Sequence, residues 1–209
     1  MGFLKKFTKQ EISWMMYDWA NSAHSVIVVT ILPIFFDSVA SCTADSVSSM
    51  STWGYATSIA MAIVALAAPF LGVFGDIRGM RKKLFTVFLL LGVVSVAGLA
   101  FTPLMDFTSS TAVASKVAML VLVLYILSTI GFDASCIYYD AFLTDVTTED
   151  RMDSVSTLGY GLGYIGGSTI PLLIFLIMNA VGVPMLTSLA IIFAITAVWW
   201  LVFSLPLLK

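Results

Sequence analysis

The stretch Gly72-Val73-Phe74-Gly75-Asp76-Ile77-Arg78-Gly79-Met80-Arg81-Lys82-Lys83 decides how this chain is read. It holds four of the ten basic residues and joins two long apolar runs. Gly72 and Gly79 let the backbone turn tightly and let helices approach. Asp76 is placed to face the positive N-terminal end of a neighbouring helix. Arg81 or Lys82 is placed to pair with an acidic residue on another loop of the same side, and Asp140 is one candidate. Such a cluster can hold one arrangement of helices closed and release it in another. Charge alone fits equally well a basic loop that only sets topology.

The chain on either side of this loop is that of a membrane protein. Of its 209 residues 60% are hydrophobic and only 11% charged, and the mean hydropathy is +1.03. A water-soluble domain carries about 45–50% apolar and about 25% charged residues. A soluble enzyme, a disordered tail and a nucleic-acid binder are therefore excluded. Two cysteines and one histidine leave no material for a disulfide scaffold or a clustered metal site. No cofactor or metal is expected. No phosphate-binding loop, paired-histidine helix or nucleophile elbow is present to support an ATPase, protease or lipase.

Six apolar runs are long enough to cross a hydrocarbon core of about 30 Å as helices. They cover residues 17–36, 53–74, 84–102, 117–139, 158–178 and 185–207. Continuous runs such as Met119–Leu127 lack the alternation of a barrel strand, so helices are the spanning solution that satisfies the backbone. We expect an all-α bundle forming one domain over residues 1–209. Nine of the ten basic residues fall before span one, between spans two and three, between four and five, or after six; only Lys116 falls on the other side. By the positive-inside rule both termini are then cytoplasmic, and the expected location is the cell membrane. All five tryptophans sit near span ends, as interfacial rings do. Span one follows three lysines and precedes Val39-Ala40-Ser41-Cys42, which looks like a lipoprotein cleavage site. Asp18, Asn21 and His24 inside the run, and Asp37 before the cysteine, argue against cleavage. Cys42 and Cys136 lie toward opposite ends of their spans and are too far apart to pair.

Two polar stripes interrupt the apolar runs. In span one Asp18, Asn21, Ser22 and Ser25 fall at i, i+3, i+4 and i+7, with His24 on an adjacent face. An ionisable group at a helix centre costs about 2.5–3.5 kcal/mol by insertion scales, so the stripe points to a wet cavity or a hydrogen-bonded seam between helices. In span four Tyr125, Thr129, Asp133, Cys136 and Asp140 repeat every three or four residues. Asp133 lies inside the membrane, where it can bind a cationic group, carry a proton or pair with His24. Span five carries Gly159, Gly163 and Gly167 at four-residue spacing, a close-packing face. Trp53-Gly54-Tyr55 opens span two and Leu158-Gly159-Tyr160 opens span five, with Pro69 and Pro171 following. This echo fits two inverted three-helix units, and coincidence explains it as well.

Several of these stretches resemble known families. The spacing of Gly72, Asp76, Gly79 and the basic residues after it resembles the loop signature of the major facilitator superfamily, with Met80 where a basic residue often stands. Tyr17-Asp18-Trp19-Ala20-Asn21-Ser22 resembles the opening of the superfamily's vacuole effluxer (autophagy-related) family. Tyr139-Asp140-Ala141-Phe142-Leu143, Asp150-Arg151 and Gly163-Tyr164-Ile165-Gly166-Gly167 resemble the same family's fourth-to-fifth span region. The likeness covers the first six of about twelve spans that such transporters place in two halves. It implies that spans one and four line a central cavity and that two and five meet the other half. It also implies transport of a small solute, with amino acids the characterised cargo. Span four lacks the embedded arginine of proton-driven exporters, which argues against simple proton antiport.

The sequence therefore points to half of a secondary transporter working by alternating access in a lipid bilayer. Asp18, Asn21, His24 and Asp133 are the candidates for contact with solute or coupling ion. Gly72, Asp76, Gly79, Arg81 and Asp140 form the candidate conformational latch. A second six-helix half, as a separate chain or a second copy, is the expected partner. A scaffold subunit that kept the fold without transporting, or a truncated fragment, is the alternative.

Overall fold

The computed structural model describes residues 6–43 and 49–209. Lys5, counted among the basic residues above, lies outside them. The described residues are helical or in turns and contain no strand. Among the described residues six helical stretches are long and apolar enough to cross a membrane.

Span one is two helices, α1 (Lys9–Thr30) and α2 (Leu32–Ala40). A capping box starts α1. The Thr8 hydroxyl accepts from the Glu11 N–H at 3.2 Å, and the Glu11 carboxylate accepts from the Thr8 N–H at 2.7 Å. Pro33 sits in the first turn of α2, where its missing N–H is tolerated, and this separates the two helices. Span two is α3 (Ser49–Asp76), which runs through Pro69 unbroken. Gly79 then adopts φ +80°, a left-handed conformation that favours glycine, and α4 (Arg81–Leu99) follows. A 3-10 turn at Thr102–Leu104 leads to α5 (Thr111–Val146), whose 36 residues extend about 54 Å, well past a bilayer core. Span five is α6 (Glu149–Leu162), a π-helical turn (Gly163–Ser168) and α7 (Thr169–Ala180). Span six is α8 (Met185–Leu208).

The helices pack α4 on α5, α1 on α8, and α1 on span five. Glycine makes the first of these contacts close. A Cβ on Gly131 would stand 2.7 Å from the Gly92 Cα and 2.8 Å from the Phe88 carbonyl, so backbone meets backbone. The Trp200 ring fills the space beside Gly92. The core has two parts. One, around Ile27, Phe35, Val121 and Phe193, lies toward the end of the bundle that holds Lys116. The other, around Trp14, Tyr17, Phe85, Tyr139 and Trp200, lies toward the end that holds Arg81 and Arg151, called the basic end below. α3 is the least covered span: only Ala56, Ala60 and Gly75 are buried, while Leu66, Phe70 and Phe74 are exposed.

Candidate functional site

A cleft of about 720 Å³ opens between α1, α5 and span five. From α1 it receives Asp18, Asn21, Ser22 and Ser25, the stripe spaced at i, i+3, i+4 and i+7. From α5 it receives Phe132, Cys136, Tyr139 and Asp140. Span five supplies Ser156, Tyr160, Tyr164 and Ser168. Helical spacing brings each set to one side of its helix, and the packing turns the three sides toward one another.

The glycine face of span five brings the cleft walls together, and its partner is α1. A Cβ on Gly159 would stand 3.0 Å from the Asp18 carboxylate. One on Gly163 would meet the Ser22 hydroxyl at 2.7 Å and the Asp18 carbonyl at 3.1 Å. Gly167 lies against the Trp19 carbonyl and would meet Ser22 Cβ at 2.9 Å. The contacts of Gly163 and Gly167 fall along the π turn, where Thr169 donates its hydroxyl to the Tyr164 carbonyl at 2.9 Å. Pro171, three residues past the turn, has no N–H to return to Gly167 and crowds that carbonyl, which favours a widened turn just before it.

Of the four residues expected to meet solute, Asp18 and Asn21 line the cleft and two do not. His24 is 2% exposed, with its ring 4.8 Å from those of Phe132 and Trp200. Neither imidazole nitrogen has a hydrogen-bond partner, so pairing with Asp133, one of the three roles open to that carboxylate, is absent. Phe132 and Cys136 face the cleft at i and i+4. Asp133, one residue on from Phe132 and so turned by about 100°, is not among the lining residues. One of its carboxylate oxygens is buried without a partner. The span-four stripe also divides. Tyr125 turns to α3, with its hydroxyl 2.9 Å from that of Thr57 and its ring 4.2 Å from that of Trp53.

The loop after α3 makes a cluster at the basic end. Arg81 reaches Asp145 at 2.6 Å, the Ala141 carbonyl at 3.1 Å and the Gly75 carbonyl at 3.4 Å, with Asp76 at 3.8 Å. Asp140, one candidate partner of Arg81, is not the residue it meets; Asp145 is. The two are five residues apart on α5, so Asp140 points about 140° away and into the cleft. A Cβ on Gly72 would meet nothing within 4 Å. Gly75, by contrast, lies against the Tyr138 ring, whose hydroxyl donates to the Leu71 carbonyl at 3.0 Å.

Comparison with known proteins places this arrangement. The family model for vacuole effluxer Atg22-like proteins matches residues 7–209. The chain belongs to that family. It is 43% identical over 214 residues to the uncharacterized MFS-type transporter YxiO of Bacillus subtilis strain 168, an alignment covering 99% of this chain and 47% of that protein. The chain thus spans about half the length of this curated relative. No solved structure matches it.

This Atg22-like chain holds a second ionic cluster that its sequence did not announce. Glu11 is 1% exposed, and its carboxylate accepts from Arg151 twice at 2.8 Å and from the Thr147 hydroxyl at 2.7 Å. Arg151 also donates to the Lys6 carbonyl and lies 5.6 Å from the Phe7 ring centroid. The start of α1 is thereby tied to the connection between α5 and α6. The capping-box spacing of Thr8 and Glu11 was the available signal. Among the described residues no group of three or more histidines, cysteines and carboxylates is placed to hold a metal ion.

Proposed function

We propose that this chain forms one half of a secondary active transporter that moves a small solute, amino acids being the candidate class, across a membrane by alternating access. The observation that carries this reading is the polar cleft between α1, α5 and span five, in a bundle whose outer surface is otherwise largely apolar. The pathway is completed by a second six-helix half, which packs on the uncovered faces of α3 and span five. It is a separate chain, a second copy or a further part of a longer protein. The basic end faces the cytoplasm of a cell membrane, in keeping with the distribution of lysine and arginine. The Arg81 cluster with Asp76 and Asp145 is the latch: it links α4 to α5 through charge-assisted hydrogen bonds that can break and re-form without unpacking the core.

The test begins with extraction from the native membrane in mild detergent and identification of every co-purifying chain. The complex is then reconstituted into liposomes and supplied with a radiolabelled amino acid mixture. Uptake that collapses in Asp18→Asn supports the reading. A lone monomer that supports no flux in either direction refutes it.

A further inference from the structure

Span five holds one residue more than an unbroken α-helix would need to line the cleft as it does. Tyr160 and Tyr164 from before or within the π turn, and Thr169 and Leu172 from after it, all line the cleft. In a continuous α-helix Leu172 would lie about 120° round from Tyr160, and Thr169 about 140° round from Tyr164. The π turn Gly163–Ser168 absorbs one residue and so turns α7 back by about 100° relative to α6. Thr169 then comes beneath Tyr164, as its 2.9 Å hydrogen bond to the Tyr164 carbonyl records. The far half of this cleft wall therefore depends on helical register.

The two parts of span five are held unequally. Gly159 of α6 and Gly163 at the start of the turn lie against Asp18 and Ser22, and Arg151 ties the start of α6 to Glu11. In α7 only Pro171 is buried. Every residue from Ile170 to Met178 is apolar, so turning α7 uncovers no polar side chain there. Lipid tails are as apolar as the side chains that would exchange places. Two features bring the alternative register within reach. Gly166 and Gly167 are adjacent, with Gly167 against the Trp19 carbonyl; one residue's rotation brings Gly166 toward that place, so a glycine faces the α1 backbone in both registers. Pro171 opposes the α register only through its missing N–H and its crowding of the Gly167 carbonyl.

We propose that the π turn is a register switch for the end of the cleft away from Arg81. α7 alternates between the register of this structure and an unbroken α-helical one, turned by about 100°, in which Thr169 and Leu172 leave the cleft wall. The proposal rests on reading the cleft as part of a transport pathway, and it supplies a moving part of that pathway. Deletion of Ile165, an exposed residue within the turn, removes the extra residue and fixes span five as an α-helix in the present register. Pro171→Ala supplies the N–H that the Gly167 carbonyl lacks and favours the turned register.

Register is read in native membranes as the rate at which a charged maleimide labels Leu172→Cys, with Cys42 and Cys136 replaced by serine. Flux is read on the otherwise native complex in liposomes, with the radiolabelled amino acid mixture. Pro171→Ala is expected to slow labelling at least about threefold. Deletion of Ile165 is expected to leave labelling within about twofold of the parent, alone or combined with Pro171→Ala, and to lower flux at least about tenfold. Unfolding midpoints establish that the variants fold, and Pro171→Ala alone decides the register if the deletion variant does not. Parental flux in a folded deletion variant, labelling lost in that variant, or labelling that Pro171→Ala does not slow overturns the proposal. So does slow labelling in the double variant, because the deletion then fails to fix the register. A parent complex without flux sinks the transport reading, and the labelling rates still decide the register. Flux in the parent with labelling unchanged throughout sinks this inference alone.

Discussion

Glu11 and Arg151 meet through two 2.8 Å hydrogen bonds across 140 residues of sequence. The pair closes the bundle at its basic end. It anchors the first turn of α1 near the start of α6, at one end of the glycine face along which α1 lies against span five. The carboxylate is buried and the guanidinium is 39% exposed, so water screens the pair from one side only.

Removing that anchor has a defined cost. Glu11→Gln keeps the shape and an acceptor oxygen but loses the charge that Arg151 and Thr147 serve. The expected loss is about 1–2 kcal/mol, read as a lower unfolding midpoint in detergent. Arg151→Lys is expected to destabilise nearly as much, because one ammonium cannot reproduce the two-pronged contact. A midpoint unchanged in both variants would show that the contact carries no stability.

Span five offers an internal control for the glycine face. Gly167→Ala drives a methyl into the Trp19 backbone carbonyl and Ser22, and is expected to cost about 1–3 kcal/mol. Gly161→Ala meets nothing within 4 Å and is expected to be neutral or slightly favourable, since alanine is the better helix former by about 1 kcal/mol. Unfolding curves of the two variants in the same detergent should separate clearly. Equal midpoints would remove the argument that this face determines the packing.

Tyr17 and Ser135 share a 2.7 Å hydrogen bond, and both are fully buried. Tyr17→Phe retains the ring contacts with Phe85 and Tyr139 and deletes only the hydroxyl. Ser135 keeps its bond to the Phe132 carbonyl. The expected cost is about 1 kcal/mol in unfolding free energy. A cost above about 3 kcal/mol would mean that the hydroxyl serves something beyond this bond.

The Arg81 cluster should govern the cleft at a distance. Arg81→Gln leaves Asp145 and the Ala141 carbonyl without their charged donor. Both side chains are partly exposed, so the expected change is about 0.5–1 kcal/mol, up to about fivefold in a two-state equilibrium. The readout is the rate at which a maleimide labels Cys136 in the cleft, with Cys42 replaced by serine. Lys82→Gln removes the same charge from the same loop and should leave the rate unchanged. Equal rates in Arg81→Gln and the parent would end the latch assignment.

The helical fold was legible because its causes are local. A run of about 20 apolar residues must satisfy its own backbone in lipid, and it does so as a helix whatever its neighbours are. The alignment of Asp18, Asn21, Ser22 and Ser25 on one face of α1 was readable for the same reason, since it follows from 3.6 residues per turn. So was the glycine face of span five. The partner of that face was not, because a missing side chain shows only that something comes close.

Tertiary structure alone decided which face meets which neighbour. His24 and Asn21 lie three residues apart on α1, yet one sits among Phe132 and Trp200 while the other lines the cleft. Asp140 and Asp145 are both acidic residues near the end of α5 on different faces, and the packing of α5 assigns Asp145 to Arg81 and Asp140 to the cleft. The contribution of Tyr160 and Tyr164 to the cleft, and the meeting of Glu11 with Arg151, likewise depend on how α1 and span five lie together. The physical reason is that lipid tails are as apolar as leucine. Composition therefore separates membrane from water along the chain, but separates core from lipid only weakly around each helix, where close packing and polar contacts between helices decide.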